Sequence, residues 1–113
     1  MRYWTVEEAQ AYLPRLRELL TTIRDAALAQ AGTHPSRNGS RSPMVDAQEA
    51  FEQLEANDIV LRDAAQGLID FHARGPDGVV YLLCWKLGED GLGWWHLPAE
   101  GFAGRKRLPR EPS

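Results

Sequence analysis

The stretch that decides the fold is residues 67–97, GLIDFHARGPDGVVYLLCWKLGEDGLGWWHL. It holds three short runs rich in aromatic and branched residues, at 67–73, 79–85 and 93–97, and glycine-containing turns separate them. This spacing is typical of antiparallel strands joined in sequence. The middle run is almost continuously apolar, which indicates a central strand covered on both faces. With a short apolar run at 59–61, these segments predict a meander of three or four strands.

Upstream of the meander, the sequence predicts two helices. Thr5 and Glu8 have the spacing of a capping box, and apolar residues then recur every three or four positions, at Leu13, Leu16, Leu20, Ile23 and Ala27. We expect a first helix over 6–31 that stops at Gly32, with a kink near 11–13 caused by Pro14. A second helix is expected over 44–57, where the same spacing places Met44, Ala47, Phe51 and Leu54.

These elements predict a single α+β domain over residues 1–113. Its architecture is a kinked antiparallel helical hairpin packed on a small three- to four-stranded antiparallel β-meander. Residues 32–43 contain no large apolar side chain and predict a mobile loop between the helices. Residues 58–105 are assigned to the meander and a covering loop, and residues 106–113 to a basic tail.

Composition excludes several classes of protein. Of 113 residues, 43% are hydrophobic, as in ordinary soluble domains. A net charge of −3 makes nucleic acid an unexpected partner. One cysteine excludes an internal disulfide, and no run approaches the roughly 20 apolar residues of a membrane helix. The first residues do not have the pattern of a signal peptide, so we expect a cytoplasmic protein without membrane contact.

One candidate site is a cluster of metal ligands on the meander. Asp70 and His72 are two residues apart and share a strand face, and His96 lies on the last strand. If these three face the same side, Glu89 at the intervening turn could add a fourth ligand. Two imidazoles with carboxylates suit zinc or iron. In the competing interpretation Asp70 and His72 form a surface pair, or Asp70 accepts hydrogen bonds from a turn, and His96 is a partly buried histidine that donates to a backbone carbonyl. Cys84 could replace one ligand, but as a lone thiol on an apolar strand it is assigned to the core.

A second candidate site is an aromatic pocket for a small anion, formed by Trp85, Trp94 and Arg105. The competing interpretation places the rings in the core, where they supply buried apolar area. Arg105 would then form a structural ion pair with Glu89 or Asp70.

The chain also resembles a known family. The run 83–89 (LCWKLGE), the pair Trp95-His96 and the segment 101–105 (GFAGR) resemble the signature of the bacterial domain-of-unknown-function family DUF2203. Thr5, Glu8-Ala9, Leu13-Pro14 and the run 67–71 fit its other positions. The resemblance implies a small bacterial cytoplasmic protein without an assigned activity, and it transfers no catalytic residue.

Three functions follow from these observations, and whether the protein is an enzyme is left open. The first is a non-enzymatic assembly or binding module that forms a homodimer through helices 1 and 2, because the apolar helix surface exceeds what a small meander covers. The alternatives are a metal-binding protein, with hydrolase activity as one version, and a binder of a small anion.

Overall fold

The computed structural model describes residues 1–30 and 43–110, which form two helices and a five-stranded sheet. In chain order the elements are α1 (Val6–Gln30), α2 (Pro43–Ala56), β1 (Ile59–Asp63), β2 (Leu68–Arg74), β3 (Val80–Lys86), β4 (Trp94–His96), a 3-10 turn (Phe102–Gly104) and β5 (Lys106–Arg107). Neighbouring strands are antiparallel, and their order in the sheet follows the chain.

The predicted α+β fold, a helical hairpin packed on an antiparallel meander, is confirmed. The sheet has one strand more than predicted, because Lys106 and Arg107, assigned to the tail, pair with Trp95 and Trp94. The predicted end of the first helix at Gly32 lies outside the described residues. So do the loop predicted at 32–43, except for Pro43, which begins α2, and the last three residues of the tail.

The capping box forms as predicted and begins α1. Thr5 Oγ1 accepts a hydrogen bond from the Glu8 amide at 3.0 Å, and Glu8 Oε1 accepts one from the Thr5 amide at 3.0 Å. Each side chain thus satisfies an amide that the first turn leaves without a helical partner. Pro14 lies inside the helix, and the kink assigned to it stays a prediction.

The apolar seam of α1 is buried within the chain itself. The side chains of Leu13, Leu16, Leu20 and Ile23 are at most 6% exposed, and they share one core cluster with residues of α2 and of the sheet. A seam covered in this way leaves little apolar area for a second copy. The homodimer expected from these seams stays a prediction.

The two faces of the sheet differ in what covers them. The face toward the helices carries the large apolar side chains of β2 and β3, which are Ile69, Phe71, Ala73, Tyr81, Leu83 and Trp85. The opposite face, called the outer face below, carries Asp70, His72, Leu82 and Cys84. Residues 81–85 of β3 are all buried, so this strand is central and covered on both faces, as predicted.

Segment 97–105, between β4 and β5, passes over the outer face. Pro98, Gly101 and Phe102 line a cavity there together with Asp70 and Cys84 of the sheet. In the described ranges, neither helix is long and apolar enough to cross a membrane.

Candidate metal centre

The outer face brings together an aspartate, a cysteine and a histidine from three adjacent strands. Asp70 on β2 pairs with Cys84 on β3, and Cys84 pairs with Trp94 on β4. His96, two residues after Trp94, lies on the same face. The side chains of Asp70 and His96 therefore meet across the strand that carries Cys84, with 3.1 Å between Asp70 Oδ1 and His96 Nε2.

Asp70 is the most buried polar side chain of this site, at 1% exposure. A carboxylate removed from water needs partners, because burying an unpaired charge is costly. Its Oδ2 accepts a hydrogen bond from Arg62 Nε at 2.8 Å, and its Oδ1 faces His96. Both oxygens are thus held, and the carboxylate has a fixed orientation.

The orientation of the His96 ring is set by the backbone. Nδ1 lies 2.9 Å from the carbonyl oxygen of Leu97. Since a carbonyl oxygen can only accept, Nδ1 carries a hydrogen and donates it. The other nitrogen, Nε2, points to Asp70 and is the ring atom available as a ligand once it has no proton. A histidine that binds a metal commonly has its second nitrogen held in this way.

Cys84 is the third member and is only 1% exposed. Burial, together with the negative charge of Asp70 next to it, raises the pKa of the Cys84 thiol to about 12. The thiol is therefore protonated at neutral pH. Such a thiol is inert as a nucleophile, and it becomes a thiolate only if a cation nearby replaces the proton.

The three residues could hold a metal ion. Each offers one ligand atom, and the three atoms lie within 4.8 Å of one another. All three residues are buried. A cavity of about 200 Å³ adjoins them, with Arg62, Leu68, Glu100 and Phe102 on its walls. The chemistry of this donor set, with one sulfur, one nitrogen and one oxygen, is that of zinc sites.

Two of the four residues predicted as ligands lie in this cluster, and two do not. His72 shares the outer face, but Leu82 stands between it and His96 in the same row of three strands. Among the described residues, the ligand atoms that lie within 4.8 Å of one another belong to Asp70, Cys84 and His96, so His72 is outside the cluster. Glu89 instead accepts hydrogen bonds from the Lys86 amide at 2.9 Å and from Arg105 Nη2 at 2.8 Å.

The three residues predicted to form an aromatic pocket are not brought together. Trp85 is fully buried on the helix side of the sheet, while Trp94 pairs with Cys84 and belongs to the outer face. The Arg105 guanidinium lies 4.8 Å from the centre of the Trp94 ring, and its Nη2 contacts both carboxylate oxygens of Glu89 at 2.8 Å. Its charge is thus already compensated inside the chain.

Two residues of the site are absent from the ligands proposed from the sequence. Cys84 is considered from the sequence only as a replacement ligand and is assigned to the core, but counting four residues from the first ladder pair, Arg74 and Val80, along each strand pairs it with Asp70. Nothing in the sequence pattern indicates that Arg62 contacts Asp70. Its contact with Asp70 accompanies an irregularity in the β1–β2 register between Leu61 and Asp63, and single bulges of this kind are not evident in a strand pattern.

Comparison with curated proteins finds no match, and comparison with solved structures finds none either. A family model does match, and it covers residues 2–108 of the 113. The resemblance seen in the sequence is confirmed: the chain belongs to the family described as an uncharacterized conserved protein, DUF2203.

Proposed function

We propose that the protein binds one divalent metal ion, with zinc as the preferred ion, through Asp70 Oδ1, Cys84 Sγ and His96 Nε2. The observation that supports the proposal is the convergence of three different ligand atoms within 4.8 Å in a buried site. The distance of 3.1 Å between the oxygen and the nitrogen is also close to what two ligands at about 2.0–2.1 Å from a tetrahedral zinc require.

The charges of the three ligands favour a divalent ion. A carboxylate and a thiolate carry two negative charges, and a neutral imidazole adds none, so the ion is neutralised where water is scarce. A soft thiolate with imidazole selects zinc or ferrous iron over magnesium or calcium, which prefer oxygen.

The groups around the ligands support the same proposal. Arg62 holds the second oxygen of Asp70, and the Leu97 carbonyl holds the second nitrogen of His96. Outer contacts of this type orient ligands and strengthen binding. Three protein ligands leave one position of a tetrahedral ion for water or another small ligand, and this position would face the adjoining cavity.

Binding must displace protons. The Cys84 thiol, whose pKa is raised to about 12, has to lose its proton to become a ligand. Because the ion competes with a proton, the affinity should rise with pH and protons should be released on binding.

Zinc titration of untagged, metal-free protein against a chromophoric chelator tests the proposal. One zinc per chain is expected. Cys84→Ser and His96→Gln should lower the affinity by more than the roughly 10- to 100-fold that loss of an outer-shell partner costs. His72→Gln is the matched control, because it removes a histidine from the same face but outside the cluster.

Each variant is first checked for native tryptophan fluorescence. Absence of zinc binding by the unaltered protein would refute the proposal. So would His72→Gln weakening binding as much as His96→Gln does. Cobalt gives a second measurement, since coordination by Cys84 should produce a thiolate-to-cobalt charge-transfer band that Cys84→Ser lacks.

A second candidate function is the homodimer predicted from the sequence. Its support is the exposure of three large apolar side chains at the end of the hairpin, Leu28 (48%), Met44 (52%) and Val45 (47%). Apolar groups exposed together mark contact surfaces.

Light scattering after gel filtration tests the dimer. A mass of twice 12.7 kDa is expected, and a mass of 12.7 kDa contradicts it. Val45→Glu should then produce monomers, whereas Val79→Glu, which charges an exposed apolar position of the β2–β3 turn, should not.

A further inference from the structure

The cavity beside Asp70, Cys84 and His96 has the size and lining of a site for a small molecule. Its volume of about 200 Å³ corresponds to six or seven water molecules at roughly 30 Å³ each. Leu68, Pro98 and Phe102 give it apolar walls, and Arg62 and Glu100 add polar groups. A ligand that fills it therefore has fewer than about ten heavy atoms and one apolar part.

Arg62 presents a free donor edge at this cavity. Its Nε donates to Asp70 Oδ2 at 2.8 Å, and this hydrogen bond orients the guanidinium. Among the residues that the structure describes, Nη1 and Nη2 have no hydrogen-bond acceptor, and the side chain is 46% exposed. Two parallel N–H groups at the end of a held guanidinium match the two oxygens of a planar carboxylate.

The charge of the site selects a monoanion. A divalent ion is neutralised by Asp70 and the Cys84 thiolate, and Glu100 is neutralised by Lys106, whose Nζ lies 2.7 Å from its Oε1. The positive charge of Arg62 remains. A ligand with one negative charge balances it, whereas a dianion would leave an excess charge in a cavity with apolar walls.

We infer that this cavity binds a small monocarboxylate with a short apolar group, whose carboxylate contacts the open position of the metal and the free edge of Arg62. The apolar group lies between Leu68 and Phe102. The inference rests on the proposed metal site and adds the chemical class of its ligand.

Cobalt-loaded protein provides the test, because the visible spectrum of cobalt responds to a change in its ligands. Butyrate should shift the spectrum in a saturable manner. Butyramide, which has nearly the same shape and no charge, should not, and inorganic phosphate should bind more weakly than butyrate. Cobalt affinity is measured first for each variant, so that loss of metal is not mistaken for loss of the carboxylate.

Arg62→Gln removes the guanidinium and its two parallel N–H donors, and it should weaken butyrate binding about 10- to 100-fold, as expected for a lost charged hydrogen bond. Arg74→Gln is the matched control, since it removes another arginine side chain next to the sheet, which lies over Tyr3 and does not line the cavity, and it should leave butyrate binding unchanged. A cobalt site that does not respond to butyrate, responds equally in Arg62→Gln, or prefers phosphate would overturn the inference and leave the metal site standing. Failure to bind cobalt would overturn both.

Discussion

Because the thiol of Cys84 is buried, the free energy of unfolding of the metal-free protein should decrease at alkaline pH. The pKa of this thiol is about 12 in the folded state against 9.0 when unperturbed. Because the pKa is higher in the folded state, the protonated thiol contributes fully to the free energy of unfolding below pH 9, and this contribution is lost as the pH rises toward 12. Between these values the unfolded chain loses the proton and the folded chain keeps it, so stability falls.

The size of the effect follows from the two pKa values. At pH 8 only about a tenth of the thiol is ionised in the unfolded state and almost none in the folded state, so the effect on the free energy of unfolding is below about 0.1 kcal/mol. At pH 10 the unfolded state gains about 1.4 kcal/mol from ionisation, and the folded state gains almost nothing. The free energy of unfolding should therefore fall by about 1.4 kcal/mol from this group alone.

Other groups also titrate in this range, so the measurement is a difference between two proteins. Cys84→Ser keeps a small side chain that can donate to Asp70 but does not ionise. Urea unfolding of both proteins is followed by the fluorescence of the tryptophans at pH 8, 9 and 10, with chelator and reductant present. The free energy of unfolding of the unaltered protein minus that of Cys84→Ser should decrease by about 1.4 kcal/mol from pH 8 to pH 10. A difference that stays constant would mean that the folded thiol ionises normally, and the description of a buried thiol beside a carboxylate would be wrong.

Three further predictions concern the fold, and urea unfolding measures each. Gly67→Ala should cost about 1–3 kcal/mol, because Gly67 has φ +65° and an added Cβ would lie 2.7 Å from that of Leu87, whereas Gly101→Ala meets no atom within 4 Å and should cost much less; equal losses would contradict this reasoning. Thr5→Ala should cost about 1 kcal/mol by removing the cap of α1, and an unchanged midpoint would show that the cap contributes nothing. Leu16→Ala should cost about 2–5 kcal/mol, since the side chain is fully buried, and a loss below about 1 kcal/mol would place it outside the core.

Much of the fold could be predicted because its signals are local. The capping box at Thr5 depends on residues three apart, and it forms as written in the sequence. The β2–β3 hairpin follows from the turn at 75–78, and its register then aligns Asp70 with Cys84. By contrast, β5 has only two residues and no strand pattern of its own. Only its pairing with Trp94 and Trp95 makes it a strand.

The metal candidates show where local reasoning ends. Alternation correctly placed Asp70 and His72 on one face, but sharing a face does not fix distance. The register decides that Leu82 separates His72 from His96. Glu89 carries the same chemistry as Asp70, yet the return of the chain after β4 places Arg105 against both of its oxygens, whereas Arg62 contacts one oxygen of Asp70 and the other faces His96. Partners that arrive from distant parts of the chain determine which carboxylate remains available.

The sequence by itself determined two helices, a meander and the sets of residues that share each strand face, because these depend on periods of a few residues. It did not determine which face of β3 would meet the helices, since Leu82 and Cys84 on one side are nearly as apolar as Leu83 and Trp85 on the other. The tertiary structure decided this by burying the large rings against α1 and α2. Cys84 was thereby left on the outer face, beside Asp70 and His96 and under segment 97–105, where a thiol assigned to the core becomes a candidate ligand.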